Sequence, residues 1–188
     1  MTWVIVAILV VVVVVLAVLL MRSRRSQQLQ SDFGPEYGRV LADRGDRGEA
    51  ESELAERRDR RAKLEIRELE PAARERYAER WAAAQRTFVD QPAPAVAEAD
   101  ALVSEVMRER GYPVSEDFEQ RAADVSVDHP VVVEHYRAAH GISVGATQGD
   151  AGTEDLRQAM VHFRALFDEL LGRDERVTTS HPNHERTS

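Results

Sequence analysis

Hydrophobic and polar positions divide this chain into regimes. From Trp3 to Met21 no residue is charged, the run reading WVIVAILVVVVVVLAVLLM, and Arg22, Arg24 and Arg25 follow at once. From Ser26 to Glu70 charged residues dominate. From Pro71 to Leu171 apolar residues recur at helical spacing, and Arg173–Ser188 is polar again.

The first regime predicts a transmembrane helix. A hydrocarbon core ~30 Å thick needs about twenty apolar residues at 1.5 Å each. A cleaved signal peptide fits less well, because no Lys or Arg precedes the run and Ala17-Val18-Leu19 lacks a small third residue. A buried core helix is the weaker alternative, since the valine run has no polar face to turn to water. The arginines lie behind the span, so the positive-inside rule puts the C-terminal side in the cytoplasm.

In the second regime Ser26–Asp32 reads as a polar linker. Gly34-Pro35 opens a short helix with Tyr37, Val40 and Leu41 on one face and Gly45 near its end. Residues 48–65 predict a charged helix, with Glu53/Arg57, Glu56/Arg60 and Asp59/Lys63 at i,i+4 and the acid first. Its apolar residues are sparse, so it reads as a stalk or a helix lying against the next domain.

Pro71 starts a helix whose Tyr77, Trp81, Ala84 and Phe88 form one stripe, ended near Asp90 by Pro92 and Pro94. Pro94 suits the start of a second helix, closed by Gly111 and Pro113. Ser115 is the expected cap of a short helix, and Asp128 with Pro130 signals another. Gly141, Gly145, Gly149 and Gly152 predict a loop. Thr153 is the expected cap of the last helix, where Leu156, Ala159, Phe163, Leu166 and Leu170 form a coiled-coil-like seam. Met160 and Phe167 widen that seam, which suits a helix in a bundle. Gly172 stops it.

The expected fold is thus mainly α. It has a transmembrane anchor with its basic flank (1–25), a polar linker and charged helical stalk (26–70), and a helical bundle of about five helices (71–172). A disordered tail follows (173–188).

Charge narrows the partners. The net charge is −8 and the distal part carries most of it, with nineteen acids against ten bases over residues 81–188. Such a surface repels phosphate backbones, so no nucleic-acid partner is expected. The basic cluster Arg57, Arg58, Arg60 and Arg61 is interleaved with acids and reads as a solvated, ion-paired face. Cysteine is absent, which excludes disulfides and Cys-ligated metals.

Candidate chemistry is thin. Gly141-Ile142-Ser143-Val144-Gly145 fits G-x-S-x-G, but a nucleophile elbow needs a strand-to-helix turn and no βαβ pattern is present. His135 and His140 are five apart and so on different faces of a helix. No Glu-x-x-His or His-Glu-x-x-His occurs, and His181 and His184 lie in the tail beyond His162. The glycines at 141–152 lack the Gly-Lys-Ser/Thr of a phosphate loop. Tyr77, Trp81 and Phe88 read as core rather than as a stacking box. No catalytic, cofactor-binding or metal residue is assigned, and no cofactor is expected.

Several strings resemble a group of bacterial, mainly actinobacterial, single-pass membrane proteins without an assigned activity. They are SQQLQSDFGPEYGRV (26–40), ARERYAERW (73–81), EADALVSEVMRERGYP (98–113), FEQRAADVSVDHP (118–130) and EDLRQAMVHFRALFDELL (154–171). The resemblance implies a membrane protein and carries over no catalytic residues.

The functional expectation is a membrane-anchored, non-enzymatic helical interaction or scaffold protein. It would be held in the bilayer by residues 3–21, with a protein partner or a second copy as its target. Tyr37 and Leu41 are candidate docking residues. The alternatives are a small-molecule or lipid-binding bundle, and a cryptic serine hydrolase using Ser143.

Overall fold

In the computed structural model the chain is described over residues 2–115 and 117–172, leaving aside the side chains of residues 2, 4, 5, 7, 8, 11, 18 and 22. Eight α-helices and no strands form among the described residues. They fall into two compact units, Met1–Asp59 and Arg60–Ser188.

The first unit holds α1 (Thr2–Phe33), α2 (Pro35–Arg44) and most of α3 (Arg47–Arg61). The expected linker after the basic flank is helical, since nothing between Ser26 and Phe33 breaks a helix and Leu29 and Phe33 are buried one turn apart. Gly34, at φ 46°, ends α1, and Pro35 starts α2 where a missing N–H costs nothing. Each described Trp, Val, Leu and Met side chain from Trp3 to Met21 is at least half exposed. Among the residues described with their side chains, which interrupt the run from Trp3 to Met21, no helix is long and apolar enough to cross a membrane.

The charged helix α3 is not a free-standing shaft. It buries Ala50, Leu54 and Ala55 and meets α2 through polar groups. Tyr37 OH donates to Glu51 Oε1 (3.0 Å), and Arg57 donates to Glu36 Oε1 (2.7 Å). Tyr37, a candidate docking residue, is therefore buried. Arg57 is buried too, and so leaves the solvated cluster expected for it.

The second unit contains α4 (Pro71–Thr87), α5 (Pro92–Arg110), α6 (Phe118–Val125), α7 (Val133–Gln148) and α8 (Thr153–Leu170). Helix α5 packs on α4, α7 and α8; α7 packs on α8, and α6 on α7. Trp81 stacks on Phe167 with centroids 4.5 Å apart, and Tyr136 meets Phe163 edge-on at 6.3 Å. Val103, Val106, Met107 and Leu166 are fully buried between them. Full burial of such a side chain contributes about 1.5–3 kcal/mol.

Several helix ends differ from expectation. Pro92, not Pro94, starts α5. Asp117 rather than Ser115 caps α6, its Oδ1 accepting from Glu119 N–H at 2.9 Å. At α8 the Asp155 carboxylate accepts the Gly152 N–H (2.9 Å), so the first turn is closed from Asp155. The expected glycine loop is shorter, because α7 runs through Gly141 and Gly145 and ends at Gly149, at φ 84°. A helical glycine costs about 1 kcal/mol. The packing of Tyr136, Ala139, Ile142 and Ala146 offsets that cost.

Candidate functional site

The second unit carries a groove between the end of α4 and the outer face of α8. Arg157, Met160, Val161 and Arg164 follow i, i+3, i+4, i+7 spacing on α8 and so share one face. Gln85 and Phe88 close the other side, and the hollow measures about 210 Å³. Met160 is buried and Phe88 half-buried, forming an apolar floor, while Val161 is 52% exposed at the rim.

The rim arginines are already engaged. Arg164 Nε donates to Asp168 Oδ2 (2.9 Å), and its Nη1 donates across the groove to Gln85 Oε1 (3.3 Å). Arg157 Nε donates to Glu154 Oε2 (2.8 Å). Its hydrogen bonds, with one from Gln158, hold the Glu154 carboxyl at about 2. With both cations paired on their own helix, the groove is an apolar notch with a neutralised rim. Ligand pockets usually enclose about 300–1,000 Å³. A notch this small suits one apolar side chain of a protein partner better than a whole small molecule.

The serine of G-x-S-x-G sits inside α7, since Ser143 falls mid-way along Val133–Gln148. A helix interior supplies no strained turn, and its amides are committed to i−4 carbonyls. Tyr77 and Trp81 are buried in the core, with Tyr77 OH donating to Glu109 Oε2 at 2.7 Å. Only Phe88 of that trio lines the groove.

The histidines separate into three environments. His129 Nδ1 lies 3.1 Å from Glu169 Oε1, beside Tyr112, whose OH donates to Asp128 Oδ2 (2.5 Å). Burial lowers the His129 pKa despite Glu169, and burial with Asp128 raises that of Tyr112. His140 stacks on Phe118 at 3.7 Å, with Nδ1 3.9 Å from Asp100 Oδ2. Burial moves both His140 and Asp100 toward their neutral forms, and their attraction offsets this only in part. His135, from α7, meets His162, from α8, with the two Nδ1 atoms 2.9 Å apart. His181 and His184 lie outside the described residues.

Sequence spacing set His135 and His140 on different faces of one helix, and the fold joins His135 to His162, twenty-seven residues away. An antiparallel α7–α8 hairpin carried that signal, but the expected long glycine loop hid its register. Among the described residues no three metal-ligating side chains converge. Comparison with family models, curated proteins and solved structures finds no match to this chain.

Proposed function

We propose that this protein is a single-pass, membrane-anchored helical interaction protein without catalytic activity of its own. The observation that carries the reading is α1. Its stretch from Trp3 to Met21 is helical and free of charge, and its described large apolar side chains are at least half exposed. Nineteen residues at 1.5 Å each give ~28 Å, close to a hydrocarbon core. Water is a poor solvent for such a helix, and lipid is the medium that removes the exposed area at no polar cost.

Arg22, Arg24 and Arg25 orient the bundle toward the cytoplasm. The α4–α8 groove then serves as the contact point, taking an apolar side chain of a protein partner over Phe88 and Met160. At this groove its volume favours such a side chain over a whole small molecule or lipid. The placement of Ser143 inside α7 speaks against the hydrolase.

The test uses native membranes. The full chain should stay in the pellet after alkaline extraction and be released only by detergent, whereas deletion of residues 2–21 should free it. A photo-crosslinking residue at Val161 should give one discrete higher-mass product, abolished by Met160→Asp with helicity retained. Alkaline release of the intact chain would sink the anchor, and absence of any product would sink the interaction.

A further inference from the structure

Two imidazoles meet at the surface of the α7–α8 hairpin. His135 is exposed and His162 half-buried, and their rings meet edge to edge, with centroids 5.1 Å apart and planes inclined by 24°. The Nδ1···Nδ1 distance is 2.9 Å, so one ring donates its proton to the other. Burial, then the neighbouring His135, lowers the pKa of His162. Neutral imidazole nitrogen is the form that binds metals.

The Nδ1 atoms face each other along the line between them, and once the two surface rings turn outward to share one ion that spacing matches a coordination geometry. Two metal–nitrogen bonds of about 2.0–2.1 Å at a right angle place the nitrogens about 2.9 Å apart, and a tetrahedral angle places them about 3.3 Å apart. Right-angled nitrogen ligands suit tetragonal copper(II) or nickel(II), and copper(II) stands highest in the affinity order. We propose that His135 and His162 form a two-histidine site for one late first-row divalent transition metal, copper(II) fitting best, with water completing the coordination. When the ion enters, the ring that carried the Nδ1 proton takes its Nε2–H tautomer, and the hydrogen bond gives way to two metal bonds. No net proton is released. Both ligands lie on helices packed against each other, so the ion clips α7 to α8.

This inference goes beyond the interaction reading and stands on a different part of the surface. Its test uses the full chain in detergent, titrated with Cu²⁺ and followed by electron paramagnetic resonance and thermal melting. The expected result is one Cu²⁺ per chain with nitrogen hyperfine structure, and a melting midpoint that rises with the ion. His135→Ala and His162→Ala should each weaken binding by about tenfold or more and remove the midpoint rise. Both side chains are at the surface, so far-UV helicity should be kept. The double variant His181→Ala/His184→Ala should bind as the parent does. Binding lost in the tail variant, or equal in the parent and His135→Ala, would overturn the site.

Discussion

Arg57 of α3 buries its guanidinium against the carboxylate of Glu36 on α2, at 2.7 Å. The two side chains are 5% and 0% exposed, and Arg39 and Glu53 add ion pairs at either side. Desolvating both charges is costly, and that cost is met only while both are present. Removing one partner, as in Glu36→Ala, should destabilise the first unit by about 3–5 kcal/mol. The double change Glu36→Leu/Arg57→Met should cost much less. Denaturant titrations of the parent, Glu36→Ala and the double variant decide this, and a loss in the double variant as large as or larger than in Glu36→Ala would show that the pair is not coupled.

Gly111 closes α5 at φ 98°, where a Cβ would lie 2.4 Å from the Glu65 carbonyl oxygen. The irregular segment beside it is fixed by Arg67 N–H donating to the Arg110 carbonyl (2.9 Å). Gly149 has a similar φ of 84°, but open space around its Cβ position. Gly149→Ala should therefore cost about 1 kcal/mol for backbone strain alone, and Gly111→Ala distinctly more. Equal losses in thermal melting would mean that residues 65–67 move aside freely.

Stability should fall on mild acidification. Burial is the first cause that lowers the pKa of His129, His140 and His162 below the ordinary 6.5. A base protonated more readily unfolded than folded stabilises the fold above pH 6.5, and this stability is lost as pH falls toward the lower folded value. Burial outweighs the Glu169 carboxylate at His129, whose side chain is only 10% exposed, so this residue is tested first. Denaturation midpoints at pH 7.5 and 5.5 should differ in the parent and converge in His129→Gln. An unchanged difference in that variant would assign the effect elsewhere.

Topology has a clean reporter, because the chain contains no cysteine. In Thr178→Cys, a membrane-impermeant maleimide should label only after cells are permeabilised. Labelling of intact cells would place the bundle on the outer side and reverse the argument from Arg22, Arg24 and Arg25.

Local order was legible in the residues themselves. Helical periodicity along Tyr77, Trp81, Ala84 and along Leu156, Phe163, Leu170 placed α4 and α8, because a stripe at 3.6-residue spacing must face a core. Glycine at 111 marked the end of α5, since a left-handed cap excludes most side chains. The charge-free run from Trp3 to Met21 is likewise visible without any fold.

What only the tertiary structure decided are the pairings between distant residues. Arg57 looked like one more solvated arginine until α2 brought Glu36 beneath it. Gly141 and Gly145 looked like a loop, yet packing of Tyr136 and Ala139 carried the helix through them. His135 found His162 rather than His140 because the hairpin, not the spacing along one helix, sets which side chains meet. Periodicity reports which face of a helix is apolar. It carries no information on which other helix covers that face, because many partners bury the same area equally well until loop lengths and side-chain shapes choose among them.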